Sequence, residues 1–340
     1  MRGTLPPGSS CGTMAGVRVR LLAIALAALT ACTPAAPPAP TTATAVGAQA
    51  TFIVANNAGL VALDAQCRPL GNIAALPAQS VPATPSLSPA RDRIAFALTL
   101  PPSRATGFGS DIYEVKLDGT GLRPLVEHEA ENVFYASPRY DPLGNAIYVH
   151  KRGAVIRSGQ YVGNTDEIVR VDLATGQRKV IATDASDPTV SPDGKLMVYV
   201  HLKDHLPDGL RVISLPDGGD ARPFLRTRDT FIYVQTPRFS PTGADVVFSG
   251  SGRQTSAMPG GRLAHLGLPS ELFVAAADGS KLTTLGPTGD EAIPAWSPKG
   301  DRIAYVGTGA FTIVSVADQK TTVCAQGEQF FFGDPVWVKG

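Results

Sequence analysis

The chain has 340 residues, of which 44% are hydrophobic and 17% charged, and its formal net charge is +1. This apolar content is too high for a disordered chain. The near balance of charges lacks the basic excess typical of nucleic-acid binding, so we expect no nucleic-acid partner.

The N-terminus has the order of a secretory signal peptide. Residues 1–31 contain three arginines and no acidic residue, and end in the apolar run LLAIALAALTA from Leu21. The sequence LTAC at 29–32 resembles the lipobox of bacterial lipoproteins, in which the cysteine is acylated and becomes the new N-terminus. We therefore predict a signal peptide over 1–31 and lipidation of Cys32, which anchors the protein to a membrane on the exported side of a bacterial cell envelope. The alternatives are a simple cleaved signal or a short membrane anchor, with Cys32 incidental in either case.

The segment after the lipobox predicts a tether. Residues 32–50 continue from Cys32 as TPAAPPAPTTATAVGAQA, which has no charge and few side chains able to pack. Proline-rich segments of this kind act as extended spacers. Loss of residues 1–31 removes three arginines, so the mature chain has 27 basic and 29 acidic residues and a net charge of −2.

A repeat of Pro-x-apolar organises the rest of the chain. It occurs at six prolines that are 41 to 57 residues apart: Pro85, Pro138, Pro188, Pro237, Pro294 and Pro335. The first five run into a turn and an apolar strand, as in PTVSPDGKLMVYV from Pro188. Repeats of this length with several short strands are typical of β-propeller blades, because one small sheet buries its faces only when neighbours stack against it.

Each full repeat predicts four strands, the innermost ending at Pro-x-apolar-Ser. The sixth repeat contributes one strand, and residues 51–76 have the pattern of its missing strands. We therefore predict an all-β, six-bladed β-propeller over 51–340, whose last blade combines the N-terminal strands (51–76) with the C-terminal strand (335–340). A seven-bladed ring is the alternative. We expect the propeller to be monomeric.

The repeat also carries a family resemblance. Pro-x-aromatic-Ser-Pro-x-Gly before an apolar strand, as in PAWSPKGDRIAYVG from Pro294, resembles the propeller repeat of the TolB family, which also occurs in prolyl oligopeptidases. The resemblance covers nearly all of residues 51–340. It implies a propeller fold and an assembly role, with an envelope protein as partner.

Two cysteines remain in the predicted propeller, Cys67 and Cys324. A remaining pair in an exported protein suggests a disulfide. The repeat register places both near the outer strands of the last two blades. The sequence leaves open a disulfide or two separate buried thiols.

The connections between second and third strands are often long, and they emerge on the same rim as the connections between blades. We call this the long-loop rim. Its predicted loops are residues 100–110, 151–165, 202–208 and 251–270, and all five histidines map to it. Because function usually lies where a rigid scaffold presents variable loops, we predict a binding surface there. Its candidate residues are His128, His150, Lys151, Arg152, Tyr161, His201, His205, Arg253 and His265.

Three interpretations of this rim compete. The first is a surface that binds an envelope protein, since arginine and tyrosine are effective interface anchors. The second is an enzyme or sensor for a glycan, a lactone or a metal-dependent ligand at the channel mouth, which needs carboxylates beside the histidines. The third is that these residues only fill solvated loops. We predict no catalytic residue, no metal ligand set and no cofactor, with calcium in the channel left open. His150 and His201 share a register and are expected to be neighbours.

Overall fold

The computed structural model describes residues 45–227, 229–253, 269–289, 292–307, 309–326 and 333–339. The predicted signal segment, Cys32 and His265 lie outside the described residues, so the statements that rest on them stay predictions. Within the described part of the chain, no helix has the length and apolar character needed to cross a membrane.

One short helix, α1 (Val46–Gln49), precedes the strands. Gly47 and Ala50 are buried there. A Cβ atom on Gly47 would lie 2.4 Å from the backbone oxygen of Leu117. The tether was predicted to continue to residue 50. In the structure its last residues pack onto the strands instead, because their small side chains allow a close approach.

The described residues form twenty-four β-strands. The first twelve are β1 (Phe52–Asn56), β2 (Gly59–Leu63), β3 (Pro69–Asn72), β4 (Val81–Leu87), β5 (Arg93–Thr99), β6 (Gly109–Lys116), β7 (Arg123–Val126), β8 (Val133–Tyr140), β9 (Ala146–Arg157), β10 (Gln160–Asp172), β11 (Arg178–Thr183) and β12 (Ala185–Val190). The others are β13 (Leu196–Lys203), β14 (Leu206–Ser214), β15 (Gly219–Pro223), β16 (Tyr233–Phe239), β17 (Asp245–Ser251), β18 (Ser270–Ala276), β19 (Leu282–Pro287), β20 (Ile293–Trp296), β21 (Arg302–Gly307), β22 (Ala310–Ser315), β23 (Thr321–Gln326) and β24 (Val336–Trp337).

Antiparallel pairing groups these strands into four-stranded blades. Blades 1 to 5 are β4–β7, β8–β11, β12–β15, β16–β19 and β20–β23. A short parallel pairing of β6 with β8 also joins blades 1 and 2 into one eight-stranded sheet. The first strands of successive blades contact one another in chain order, so they surround a common channel.

The last blade combines the two ends of the chain. β24 pairs with β1, with Phe52 opposite Trp337 and Ile53 opposite Val336, and β2 and β3 complete the sheet. We call this blade 6. β24 also contacts β20 and β4, the first strands on either side of it. The predicted composite blade is therefore confirmed.

The hydrophobic core is divided among the blade interfaces. Each of six apolar clusters combines side chains from two neighbouring blades. Within β5, for example, Ile94 and Phe96 pack toward blade 6, whereas Ala95 packs toward blade 2. Alternate residues of a strand point to opposite faces, so one strand serves two interfaces.

A bulge precedes the repeated proline in blades 1 to 4. Thr84, Ser137, Asp187 and Thr236 have φ values of 45° to 51°, and the strand register shifts at each of them. Ser137 N donates to Thr84 Oγ1 at 3.0 Å, and Ser137 Oγ donates to Asp187 Oδ1 at 2.9 Å. The unusual backbone therefore allows polar side chains to connect neighbouring inner strands.

Two of the predicted long loops are extended strands. Most of residues 151–165 continue β9 and β10 around a tight turn at Ser158–Gly159, and 202–208 continue β13 and β14. The loop prediction was wrong there because polar residues at the tip obscured the alternating pattern of the strands. Much of the predicted loop 251–270 lies outside the described residues.

Cys67 and Cys324 form a disulfide, with their Cα atoms 5.6 Å apart. Cys67 lies between β2 and β3, and Cys324 lies in β23. The bond therefore joins blade 6 to blade 5 and decides between the two states that the sequence left open.

We expect Cys67→Ala/Cys324→Ala to lower the free energy of unfolding by about 4 kcal/mol, because a disulfide that closes a long loop restricts the unfolded chain. The separation of 257 residues makes this loop long. Urea unfolding measures the loss. Added reductant should bring the native protein to the level of the variant and leave the variant unchanged. Equal stability without reductant would contradict the prediction.

Candidate functional site

The long-loop rim carries a hairpin that reaches past its blade. β8 pairs with β9 only as far as Gly153, and β11 pairs with β10 only from Glu167 onward. β9 and β10 nevertheless pair with each other out to Arg157 and Gln160. Residues 154–164 therefore extend beyond both neighbouring strands, and we call them the projecting hairpin.

The tip of the projecting hairpin exposes apolar side chains. Ile156 lies opposite Tyr161, and a bulge after Tyr161 inserts Val162. These three residues are 54%, 61% and 54% exposed, respectively. Residues of this type are usually buried in a folded protein. Their proximity on a projecting element creates a small apolar patch.

Asp166 holds the base of the hairpin. Its Oδ1 atom lies 2.8 Å from His150 Nε2 and accepts a hydrogen bond of 2.8 Å from Arg152 Nε, both on β9. His205, in the turn between β13 and β14, approaches Oδ2 with its Nδ1 atom at 3.7 Å. One buried carboxylate thus connects both strands of the hairpin with the neighbouring blade.

Asp166 remains ionised despite its burial. Burial acts to raise the pKa of this carboxyl group, but the hydrogen bonds and charges of His150 and Arg152 overcome that effect and lower the pKa to about 2. The carboxylate therefore contributes stability at neutral pH.

A second acidic residue organises the adjacent part of the rim. Glu129 forms an ion pair with Lys151 at 2.5 Å and another with Arg178 at 3.1 Å. It also accepts a hydrogen bond of 3.0 Å from Tyr135 Oη. Burial acts to raise the pKa of Glu129, but the bond from Lys151 and the other donors lower it overall. Glu129 thus connects blade 2 with the segment that enters it from blade 1.

The other described candidates also pair with carboxylates, but at separate places. Buried His128 lies 2.6 Å from Asp111 through its Nδ1 atom. His201 pairs with Asp208 within its own hairpin. Arg253 pairs with Asp229 at 2.9 Å and lies over the ring of Phe273.

The structure brings together only part of the predicted rim. His150, Arg152 and His205 meet at Asp166, and Lys151 and Tyr161 lie in the same hairpin. His201 pairs with Asp208, and His205 of the same hairpin approaches the carboxylate that binds His150. Across the described ranges, no cluster of three or more His, Cys, Asp or Glu side chains is arranged to hold a metal ion.

Sequence analysis missed the aspartates that pair with these side chains: Asp111, Asp166, Asp208 and Asp229. The turn dipeptide Ser158-Gly159 indicates the hairpin, but an unbroken register around it would place Asp166 opposite Lys151. The bulge at Val162 shifts the register by one residue and places Asp166 opposite Arg152. Asp208 lies in the same hairpin as its partner, 7 residues away, whereas Asp111 and Asp229 meet their partners across 17 and 24 residues of chain.

Comparisons with known proteins give no match to a family model or to a curated protein sequence. Solved structures do match. A protein assigned as TolB from Agrobacterium tumefaciens is 15% identical over 75% of this chain and 83% of its own, with a TM-score of 0.51. TolB from Acinetobacter baumannii is 17% identical over 73% and 67%, with a TM-score of 0.40. Oligogalacturonate lyase from Vibrio parahaemolyticus is 9% identical over 82% and 86%, with a TM-score of 0.41.

The chain has the fold of a TolB-like β-propeller. This result confirms the fold that the repeat predicted, and it concerns the fold alone, since the identities are low.

We expect Asp166→Asn to lower the free energy of unfolding at pH 7 by about 2 kcal/mol, since a pKa shift of one unit corresponds to about 1.4 kcal/mol. The folded pKa lies below the unfolded value of 3.8. The contribution is therefore complete above pH 4 and lost as pH falls toward 2. Urea unfolding between pH 2 and 7 measures both effects.

The matched control is Asp217→Asn, which removes an exposed ion pair with Lys179. Exposed pairs contribute little, so this change should be nearly neutral. A loss at Asp217 equal to that at Asp166, or an unchanged pH dependence in Asp166→Asn, would show that Asp166 does not hold the hairpin electrostatically.

Proposed function

We propose that this chain is a lipid-anchored protein of the bacterial cell envelope, and that its TolB-like propeller binds a partner protein through the long-loop rim. The projecting hairpin is the main contact in this proposal. A lipidated Cys32 and the tether after it would keep the rim within reach of partners near the membrane.

The apolar tip of the projecting hairpin is the observation that carries this proposal. Ile156, Tyr161 and Val162 lie together and are more than half exposed. Interface centres are enriched in aromatic residues, and tyrosine offers a large apolar surface with a polar end. Burial of this patch by a partner would be favourable.

The base of the hairpin supports the same proposal. Asp166 bonds to His150 and Arg152, so the two strands are connected to each other, and it lies near His205 of blade 3. A contact element that is ordered before binding loses less conformational entropy when it binds.

The enzymatic alternative receives less support from the same geometry. Carboxylates do lie beside the rim histidines, as that alternative requires. Most of their polar atoms are paired, however: Asp166 Oδ1 binds both His150 and Arg152, and the pair of Asp111 and His128 is buried, although Asp166 Oδ2 and His128 Nε2 make no hydrogen bond among the described residues. These contacts explain the positions of the residues without a reaction.

We expect Ile156→Ser/Tyr161→Ala/Val162→Ser to reduce capture of the partner at least tenfold, because loss of a central apolar contact typically costs 1–2 kcal/mol or more. The measurement is crosslinking in intact membranes with the tagged full-length chain, followed by mass spectrometry. Support requires that one defined protein is crosslinked to residues 154–164 of the native chain.

Leu143→Ser is the matched control. Leu143 is 82% exposed and lies in the tight turn between β8 and β9, at the end of the blade away from the projecting hairpin. The Leu143→Ser variant should capture as much of the partner protein as the native chain does. Equal capture by the hairpin variant would contradict the proposed rim contact. Binding of the Cys32→Ala chain to protein-free lipid vesicles through the hairpin would instead indicate a membrane contact.

The anchor is tested separately. We expect Cys32→Ala to move the protein from the membrane fraction to the soluble fraction, since the acylated side chain is lost. Cys11→Ala lies in the predicted signal segment and should leave the protein membrane-bound. Detection of Cys32→Ala in the membrane fraction at the native level would contradict lipidation at this residue.

A further inference from the structure

A cavity of about 540 Å³ lies at the mouth of the channel on the face opposite the long-loop rim. All six blades contribute to it through the ends of their first strands and the tight turns that follow. Its volume is within the range of small-molecule sites, about 300–1,000 Å³. The proposed protein contact does not use this face.

Two buried arginines and one buried aspartate form an ion-pair network at the cavity. Arg139 of blade 2 donates from Nη2 to Asp334 Oδ2 at 2.8 Å, and Arg238 of blade 4 donates from Nε to Asp334 Oδ1 at 2.5 Å. Their other Nη atoms donate to the carbonyl oxygens of Pro138 and Pro237. Asp334 thus shows that a carboxylate fits between both guanidinium groups.

The two arginines have more hydrogen-bond donors than they use in these contacts. Each guanidinium has five N–H groups, more than the bonds it makes here. Arg139 Nε has no hydrogen-bond acceptor among the described residues, and neither has Nε1 of Trp337, which also lines the cavity. Buried donors without acceptors are costly, and both atoms are shielded from solvent here, so a small shift of either side chain would be needed to turn them toward an acceptor in the cavity.

The charges of the lining residues, like their donors, favour an anionic ligand. Arg91, Arg139 and Arg238 line the cavity together with one acid, Asp334. Asp187 does not line the cavity but acts on Arg238 electrostatically, so these five groups of the described residues sum to a net charge of +1. Burial and the nearby charge of Arg139 lower the pKa of Arg238. A further negative charge would offset this repulsion.

The walls combine apolar side chains with polar groups. Most of the other lining residues are prolines or large apolar side chains, and the latter include Leu87, Tyr140, Phe239, Trp296, Val336 and Trp337, but polar atoms make up nearly half of the accessible wall. The position of Trp296 is held by a hydrogen bond of 2.9 Å from its Nε1 to Arg238 O. The apolar side chains are available to contact an apolar body attached to the anionic group.

We propose that this cavity binds a carboxylate group carried on a small apolar body, with Arg139 and Arg238 as its donors beside Asp334. A single negative charge matches the net charge of the cavity, whereas a phosphate dianion would be repelled more strongly by Asp334. A free organic acid and the C-terminus of a peptide present the same chemistry. This site is independent of the proposed rim contact.

The test uses hippurate, in which a carboxylate is attached to an apolar body, and hippuramide, its neutral counterpart. Calorimetric titration of the full chain should give at least tenfold tighter binding of hippurate than of hippuramide or inorganic phosphate. A capped peptide ending in Phe-Gly, as free acid and as amide, distinguishes the sources. Preference for the free-acid peptide indicates a C-terminus, and binding of hippurate alone indicates an organic acid.

Two variants change the site in opposite directions. Arg139→Lys keeps the positive charge but loses the planar guanidinium group that donates two parallel hydrogen bonds. It should therefore weaken hippurate binding at least tenfold. Asp334→Asn removes the competing carboxylate and should strengthen it. Arg222→Gln, on the exposed outer strand β15, is the matched control and should bind like the native chain. If Asp334→Asn is destabilised, recovery of its Tm by hippurate, but not by hippuramide, reports the same site.

Three binding results, and a fourth from Asp334→Asn, would overturn the proposal. The three are equal binding of hippurate and hippuramide, tighter binding of phosphate than of hippurate, and unchanged hippurate binding in Arg139→Lys. Weaker hippurate binding in folded Asp334→Asn would also overturn it, because the two arginines and Asp334 would then have only a structural role.

Discussion

The pairing of the two chain ends is the constraint on which the rest of this structure depends. Each blade buries its faces only against its neighbours, so an open ring would expose two apolar surfaces. β24 closes the ring by pairing with β1, and Arg91 of blade 1 donates to the carbonyl oxygens of Trp337 and Val338. The disulfide between Cys67 and Cys324 joins the same region to blade 5. Closure thus uses backbone pairing, side-chain donors and one covalent bond.

Closure also separates two faces with different chemistry. Because successive strands alternate in direction, the tight turns after the first strands lie on one face and the connections between blades lie on the other. The tight-turn face brings equivalent residues of different repeats to one cavity, as at Arg139 of blade 2 and Arg238 of blade 4. The long-loop rim is irregular, and its largest described departure is the projecting hairpin. A regular ring therefore offers a converging cavity on one side and a protruding contact on the other.

The fold was largely predictable from the sequence, whereas the candidate site was predictable only in part. The repeated proline identified the inner strands, and residues 51–76 were recognised as the missing part of the last blade because their apolar pattern matched it. The histidines and arginines of the rim were found, but Asp166 was not. Its partners lie 14 and 16 residues away in the hairpin and in a turn of the next blade. Local sequence patterns show which residues of a strand point to the same face. They do not show which charged side chains come into contact in the folded protein.

Local sequence thus determines the strands, their turns and the number of repeats, because these depend on residue periodicity and on backbone preferences. Tertiary structure alone determines which side chains share a carboxylate. Arg139 and Arg238 are 99 residues apart in the chain, and they converge on Asp334 only because the ring brings blades 2, 4 and 6 to one channel. The cavity exists only because the ring closes, since no single repeat supplies both arginines and all of the lining residues.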